Sequence, residues 1–299
     1  MRYVVTGATG FIGKALVDYL LQIGHEVYAV SRSKERVVAF WPDNKNIHAI
    51  SCEIGDYAQL KEQISDAEVF VHLAWAGTTV EDRYSTDLQE KNMLSTLDAM
   101  RVAKQMNCRL FVATGSQAEY GPMNDRITEQ TPCHPVMAYG VAKVRMLEEC
   151  SALSEKINMP YLHLRICSVF GKGDHPYTLI ETAMRKMSIG EPIDLSECTQ
   201  NWNFLYVKDM AYQIERLCEA VIKKNVNPGI YLMASDDTRQ LKSYIEEMKR
   251  VLKSTSELRY GVLPTKQVTS LNPDTTKLKN AIGELNNYTF EQALLDMQK

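Results

Sequence analysis

Two residues four positions apart, Tyr139 and Lys143, carry the clearest chemical signal in this 299-residue chain. Positions i and i+4 of a helix lie on one face, about 5–6 Å apart between Cβ atoms, so the lysine ammonium is expected near the tyrosine phenol. A nearby positive charge favours the phenolate, which predicts a pKa for Tyr139 below its usual value of about 10. The pair therefore predicts a tyrosine that exchanges a proton at neutral pH.

A hydroxyl group is predicted to share this space. Ser116 follows an apolar run from Leu110 to Thr114 that is typical of a buried strand. A hydroxyl at the end of such a strand can hydrogen-bond a carbonyl or alkoxide oxygen. We therefore interpret Ser116, Tyr139 and Lys143 as catalytic residues: an oxygen-binding group, a proton donor and the group that tunes it.

The first thirteen residues predict which kind of ligand binds next to these catalytic residues. A short apolar strand from Tyr3 to Val5 leads into Gly7, Gly10 and Gly13, and a helical pattern follows. Strand, glycine turn and helix together are typical of a dinucleotide site. The first glycine permits the turn, the second lets the backbone approach a pyrophosphate, and the third lets the helix pack closely. The helix N-terminus then attracts the phosphates.

The end of the second predicted strand, Glu26 to Val30, bears on the choice of cofactor. Dinucleotide folds that prefer NAD usually carry an acidic residue here for the ribose 2′-hydroxyl. This chain has Ser31, Arg32, Ser33 and Lys34 instead. A guanidinium and two hydroxyls suit a 2′-phosphate, so we favour NADPH over NAD. The alternative is a solvated basic turn that binds nothing.

Predicted strands alternate with helices along the chain, which is typical of an α/β protein with a doubly wound parallel sheet of the Rossmann type. We expect an NADP-binding domain over residues 1–170, with returning segments from about 203–235. Residues 171–299 are expected to form mainly a small C-terminal α/β substrate lobe. Ligands of such sheets lie at the carboxyl ends of the strands, where Ser116 is placed.

Composition excludes several other classes of protein. The formal net charge is -3, so no strong positive field attracts nucleic acid or an anionic membrane. The apolar runs are shorter than the roughly 20 residues that span a bilayer. The seven cysteines are scattered, and neither they nor the six histidines show a metal-ligand spacing. We expect a cytoplasmic protein without a metal.

The motifs, in this order, resemble those of the extended short-chain dehydrogenase/reductases, the NAD-dependent epimerase/dehydratase family that modifies nucleotide sugars. The resemblance covers most of the chain. It rests on these segments: Thr6–Gly13, His72–Ala74, Asn92, Ser116 with Tyr120-Gly121, Tyr139 with Lys143, Arg165 with Val169–Gly171, and Asn203–Asp209.

The resemblance implies further roles for individual residues. Cofactor contacts, besides the glycines, Tyr139 and Lys143, are expected from Thr9, Phe11, Ile12, Ser31, Arg32, Glu53, Ile54, Leu73, Ala74 and Asn92. Substrate contacts are expected from Trp75, Gln117 and Asn203. Asn203 and Trp202 have an alternative, which is packing of the lobe. Arg165 is equally well interpreted as a structural residue, and His72 as a packed strand-end histidine. The resemblance also implies a homodimer formed through the Tyr139 helix and a helix near Asp87 to Met106.

Departures from the family pattern narrow the reaction. Dehydrating members carry an Asp-Glu pair after the active-site hydroxyl, where this chain has Gln117 and Ala118. Neither residue replaces a carboxyl pair in acid and base work, so dehydration is disfavoured. We expect reduction by NADPH of the C4 keto group of a nucleotide 4-keto-6-deoxyhexose, for bacterial surface polysaccharide. The alternatives are an epimerase with retained NAD and a non-catalytic NADP-sensing regulator.

Overall fold

The structure is a computed structural model that describes residues 1–77, 79–264 and 269–299. Its strands are β1 Arg2–Thr6, β2 Glu26–Ser31, β3 Ile47–Ser51, β4 Val69–His72, β5 Leu110–Ser116, β6 Arg126–Ile127, β7 Tyr161–Ile166, β8 Ser168–Phe170, β9 Ile193–Asp194, β10 Asn201–Tyr206, β11 Gly229–Met233, β12 Thr238–Gln240, β13 Leu258–Arg259 and β14 Asn272–Pro273. Its α-helices are α1 Phe11–Gln22, α2 Lys34–Phe40, α3 Leu60–Gln63, α4 Thr86–Gln105, α5 Ala138–Ile157, α6 Leu179–Ser188, α7 Val207–Ile222, α8 Leu241–Val251, α9 Thr276–Ile282 and α10 Phe290–Met297.

Seven parallel strands form the central sheet, in the order β11-β7-β5-β4-β1-β2-β3. The order reverses direction between β1 and β4, which is the position where open α/β sheets form their ligand crevice. Strand β4 is buried along its whole length, as expected for a parallel strand covered on both faces. The predicted Rossmann-type α/β fold is confirmed.

Helices cover both faces of this sheet. On one face α1 packs against α7, and their apolar sides share a core with β1, β4 and β5. On the other face α4 packs against α5 over a second core. Helix α5, which contains Tyr139, is thereby held against the carboxyl end of β5.

The lobe has a core of its own beside the large sheet. Strands β8, β10 and β12 form a three-stranded sheet, and α6, α8 and α10 pack around it. The chain then returns, because β11 pairs in parallel with β7, and α9 packs on β11 and α7. Whether the lobe acts as a separate substrate domain stays a prediction.

Two helices are missing from the sequence prediction. Helix α2 begins at Lys34, two residues after Arg32. Ser33 caps the helix by accepting a hydrogen bond from the Arg36 amide. Helix α9 is short and also went unpredicted. Every helix among the described residues is too short or too polar to cross a bilayer.

Candidate functional site

The glycine turn after β1 is packed so closely that a side chain at Gly7 or at Gly13 would clash with the backbone. Gly7 has a φ of +69°, and a Cβ there would lie 2.9 Å from the Ala74 amide nitrogen. A Cβ on Gly13 would lie 2.1 Å from the Gly7 carbonyl oxygen. The end of β4, the turn and α1 are therefore held together by contacts that only glycine permits.

Helix α1 starts at this turn with unpaired backbone donors. Gly10 is its N-cap residue and contributes no side chain to the cap. The first N–H groups of a helix have no partner within the helix, so those of Phe11 and Ile12 face outward with the positive end of the helix dipole. A phosphate-binding cradle of this shape fits the pyrophosphate of a dinucleotide. Dinucleotide binding at this turn stays a prediction.

The predicted 2′-phosphate site at the end of β2 is only partly as expected. The Arg32 side chain is exposed and has no ion-pair partner among the described residues. The hydroxyl of Ser31 is already bonded to Thr9 Oγ1 at 2.9 Å. The hydroxyl of Ser33 caps α2 and donates to Glu35 at 2.9 Å. The two hydroxyls are thus engaged, whereas the exposed side chains of Arg32 and Lys34 have no ion-pair partner among the described residues.

The end of β3 completes this side of the crevice. Glu53 is exposed and Ile54 half-buried, directly after the strand. Nothing in the structure engages the Glu53 carboxylate in an ion pair among the described residues. Both positions stay predictions as adenine contacts.

Ser116 and Tyr139 are brought together by a glycine that the sequence analysis did not single out. A Cβ on Gly140 would lie 2.4 Å from the Ala118 carbonyl oxygen, so α5 sits directly on the turn Gln117–Glu119. This contact sets Tyr139 beside Ser116, whose hydroxyl hydrogen-bonds the phenol and accepts from the Ala118 amide at 3.2 Å. A glycine inside a helix, next to the tyrosine, was the available signal.

Lys143 is buried and differs from the expectation. Its Nζ donates to the Thr114 carbonyl at 2.6 Å and lies 3.3 Å from the centroid of the Trp75 ring. It is 5.6 Å from the centroid of the Tyr139 ring. The lysine is near the phenol, as predicted, but its closest neighbours are an indole face and a carbonyl.

The pKa prediction for Tyr139 is wrong in direction. Burial raises the pKa of Tyr139 above its ordinary value, while the bond with Ser116 and the charge of Arg83 oppose that rise. Burial also lowers the pKa of Lys143 to about 7. Because the buried lysine loses its own charge so readily, its charge is not the main influence on the pKa of the phenol. Desolvation of the phenol is the main influence. Tyr139 thus holds its proton.

Trp75 packs against this pair instead of standing free. Its ring meets that of Tyr139 edge-on, with centroids 6.0 Å apart, and its Nε1 donates to Gln89 at 2.7 Å. The indole therefore covers Lys143 and positions Tyr139. The predicted sugar contact by Trp75 stays a prediction.

Asn92 on α4 holds the same loop. Its side-chain amide accepts from the Ala76 N–H at 2.9 Å and donates to the Ala76 carbonyl at 2.8 Å. Both amide atoms are used by the protein backbone, so Asn92 fixes the segment that contains Leu73 and Ala74. Its predicted cofactor contact stays a prediction.

Two buried polar atoms near Ser116 and Tyr139 have no hydrogen-bond partner among the described residues. Gln117 Oε1 is buried and has no hydrogen-bond partner among the described residues. The same holds for Nε of Arg83, whose guanidinium carbon lies 5.3 Å from the centroid of the Tyr139 ring. Arg83 was missed because no sequence spacing links it to Tyr139. Buried polar atoms usually find partners, so both atoms are candidates to bind a substrate.

Three further residues have structural roles. His72 is buried, bonds Thr6 at 2.9 Å, and has its pKa lowered to about 3 by burial, which confirms the packed histidine. Arg165 donates to Glu119 at 2.7 Å and to Tyr120 at 2.9 Å, which confirms the structural interpretation. Asn203 is fully buried, and its amide is bonded to Ser235 and Thr238. This agrees with the alternative of packing in the lobe, while its substrate contact stays a prediction.

The described residues bring no three His, Cys, Asp or Glu side chains together in an arrangement that could hold a metal ion. The site is therefore described by its glycine cradle, the free Arg32, and the group around Ser116 and Tyr139.

Comparison with known proteins shows which protein family the chain belongs to. The sequence model of the NAD dependent epimerase/dehydratase family matches residues 3–233. A dTDP-6-deoxy-L-talose 4-dehydrogenase (NAD(+)) from Aggregatibacter actinomycetemcomitans is 24% identical over 281 residues, covering 91% of this chain and 98% of that protein.

Solved structures share the fold along the whole chain. A UDP-N-acetylglucosamine 4-epimerase from Methanobrevibacter ruminantium M1, in complex with UDP-N-acetylmuramic acid, superposes with a TM-score of 0.86 at 22% identity, covering 99% of this chain and 96% of that one. A UDP-glucuronic acid 4-epimerase from Bacillus cereus, in complex with NAD, gives 0.81 at 19% identity, covering 98% and 96%.

Proposed function

Because the chain belongs to the NAD dependent epimerase/dehydratase family, we propose that it reduces the C4 carbonyl of a nucleotide-activated 4-keto-6-deoxyhexose with NADPH. The observation that carries this proposal is the close packing that sets Tyr139 beside Ser116 and 5.6 Å from Lys143 Nζ, in a buried setting where the phenol keeps its proton. A reductase needs its acid protonated when the carbonyl is attacked, whereas the reverse oxidation needs the phenolate.

The proposed step adds a hydride to the carbonyl carbon and a proton to its oxygen. A reduced nicotinamide supplies the hydride when it is bound. Tyr139 gives its phenolic proton to the oxygen as negative charge develops there. Ser116 accepts from the Ala118 amide, and its O–H, which hydrogen-bonds the Tyr139 phenol in the free protein, turns to the same substrate oxygen when the carbonyl is bound. Gln117, with its unpaired Oε1, accepts from a sugar hydroxyl and helps orient the ring.

Dehydration has no support in the arrangement of carboxyl groups. Positions 117 and 118 hold Gln and Ala, and the next residue, Glu119, is fully buried. Its carboxylate is bonded to the Ser116 amide, His163 and Arg165. A carboxylate with these partners is not free to take or give a substrate proton.

The 4-position of a 6-deoxyhexose is supported by one relative. The Aggregatibacter protein is named for a 4-dehydrogenase of a dTDP-6-deoxy sugar. Reduction at C4 is the reverse of that oxidation. The same name specifies NAD(+), so our preference for NADPH rests on Arg32 alone.

The test is a redox balance. The purified protein is mixed with dTDP-, CDP-, GDP- and UDP-4-keto-6-deoxyhexoses and NADPH, and absorbance at 340 nm is followed while products are separated. We expect one mole of NADPH oxidised per mole of sugar reduced. A changed sugar without NADPH loss supports the second candidate, an epimerase with retained NAD, which the fold of the Methanobrevibacter epimerase favours. NADPH binding with every sugar left unchanged supports a sensing regulator.

We further propose a homodimer through α4 and α5. Four large apolar side chains are exposed on or beside these helices, at 62%, 50%, 66% and 43% for Tyr84, Leu94, Val136 and Val141. Such a patch is typical of an interaction surface. Light scattering coupled to size exclusion should give twice the mass of 34.0 kDa, and Val141→Asp should give the monomer.

A further inference from the structure

A buried ionic network lies directly beneath Ser116. Glu119 is 0% exposed, and its two carboxylate oxygens accept from three sides. Oε1 accepts from the Ser116 backbone N–H at 2.8 Å, Oε2 accepts from Arg165 Nε at 2.7 Å, and His163 Nε2 lies 3.0 Å from Oε1. The network joins the candidate carbonyl-binding residue to the neighbouring strand β7.

The carboxylate in this network is held ionised. Burial by itself raises the pKa of Glu119, but His163 and Arg165 outweigh it and lower the pKa to about 2. A buried charge is costly unless its partners have good geometry. Replacing one partner therefore leaves the others unpaired, so the arrangement has few alternatives.

Strands β5 and β7 pack closely around this network. A Cβ on Gly115 would lie 2.3 Å from Glu119 Oε1 and 2.3 Å from His163 Nε2. Gly115 lies opposite Arg165 in the pairing of β5 with β7. His163 is fixed in turn by Tyr161, whose hydroxyl lies 2.8 Å from His163 Nδ1. The carboxylate is thus anchored to two central strands of the sheet.

We propose that Glu119 is a positioning residue that sets the orientation of Ser116. Ser116 and Glu119 form a reciprocal cap of the turn Gln117–Glu119, in which the Ser116 hydroxyl accepts from Ala118 and Glu119 accepts from the Ser116 amide. This cap uses one lone pair of the hydroxyl and directs its hydrogen toward the Tyr139 phenol, where a substrate oxygen would accept it. The inference rests on the proposed role of Ser116 in carbonyl reduction.

A double-mutant cycle with Ser116 tests the proposal. Glu119→Ala removes the acceptor, and Glu119→Gln keeps an acceptor oxygen but loses the charge. If Glu119 acts through Ser116, we expect kcat to fall about 100-fold in the Ala variant and about 10-fold in the Gln variant, with KM within about threefold. In the Ser116→Ala background, the same changes should each lower kcat less than about threefold.

The matched control is Glu215→Gln, which changes another glutamate–histidine contact, the partly buried one between Glu215 of α7 and His25. It should leave kcat unchanged. If Glu119→Ala fails to fold, the Gln variant carries the cycle alone. Equal losses of kcat in the Ser116 and Ser116→Ala backgrounds would overturn the positioning role, because they indicate general damage to the fold.

A second readout does not depend on turnover. Hydrogen exchange of the Ser116 amide should be faster in Glu119→Ala than in the wild-type protein, and unchanged in Glu215→Gln. An amide that stays equally protected overturns the proposed bond. If the wild-type protein reduces no keto sugar but the amide responds, the proposed function has failed and the bond itself stands.

Discussion

The ammonium of Lys143 lies 3.3 Å from the centroid of the Trp75 ring while it donates to the Thr114 carbonyl. A cation over an indole face is stabilised by the ring quadrupole. Even so, burial lowers the pKa of Lys143 to about 7, more than three units below its ordinary value of 10.5. The lysine is therefore close to losing its charge at neutral pH.

Stability should depend on pH through this lysine. Between pH 7 and 10.5 the unfolded chain binds the Lys143 proton and the folded chain does not, so folding becomes more favourable as pH rises. Relative to Lys143→Met, the wild-type free energy of unfolding should gain about 1.4 kcal/mol per pH unit from pH 7 to 9. Urea denaturation of both proteins at pH 6, 7, 8 and 9 measures this. Parallel curves for the two proteins would show that the pKa is not lowered.

Loss of the phenolic proton should abolish reduction. Tyr139→Phe keeps the ring against Trp75 but removes the group that protonates the alkoxide. We expect kcat to fall by at least about 100-fold, in the range of general acid catalysis. Cofactor affinity, measured by quenching of NADPH fluorescence, should stay within about twofold. An active Tyr139→Phe variant would refute Tyr139 as the proton donor.

Arg83 should influence the protonation of Tyr139 through its positive charge. Its guanidinium lies 5.3 Å from the Tyr139 ring centroid and lowers the pKa of that phenol. In Arg83→Gln the pKa of Tyr139 should rise further, and the pH profile of alcohol oxidation should shift to higher pH. Arg83→Lys, which keeps the charge, is the control and should shift less. Identical profiles for all three proteins would exclude an electrostatic effect of Arg83.

Arg32 should decide between the two dinucleotides. Its exposed guanidinium follows directly after β2 and has no ion-pair partner among the described residues, whereas the hydroxyls of Ser31 and Ser33 are engaged. Arg32→Ala should weaken NADPH binding about tenfold or more, the value of a charge-assisted contact, and NADH binding less than about twofold. Lys34→Ala is the matched control. Tighter wild-type binding of NADH than of NADPH would contradict our cofactor preference.

The glycine turn should be sensitive at Gly13. A Cβ there would lie 2.1 Å from the Gly7 carbonyl, so Gly13→Ala must move α1 away from the turn. Such overpacking typically costs about 1–3 kcal/mol, and NADPH affinity should fall along with stability. Gly24→Ala is the control: its φ of +82° is strained, but no atom lies within 4 Å of the new Cβ. It should lose about 1 kcal/mol of stability and keep its NADPH affinity.

Sequence reasoning succeeded where a residue's role depends on its near neighbours in the chain. The glycine turn, the parallel strands and the helical pair of Tyr139 and Lys143 are all of this kind. It failed where distant segments meet. The pKa of Tyr139 depends on burial by Trp75, and the amide of Asn203 is used by Ser235 and Thr238, which come more than thirty residues later. No local pattern reports such contacts.

Some missed features did leave a trace in the sequence. Gly140 is a glycine inside a helix, and Gly115 is a glycine inside a strand, and both allow a close approach that a Cβ would block. Glu119 is an acidic residue between a strand and Tyr120, and its burial with His163 and Arg165 could be recognised only in three dimensions.

The return of the chain to β11 has a consequence for synthesis on the ribosome. Strand β7 ends at Ile166, yet the strand that covers its outer edge begins at Gly229, after most of the lobe sheet. Until that later segment emerges, the nascent sheet presents an open edge to other chains. Completion of the seven-stranded sheet therefore waits for most of the lobe sheet, and a polypeptide released before residue 229 leaves the outer edge of β7 exposed and prone to aggregation.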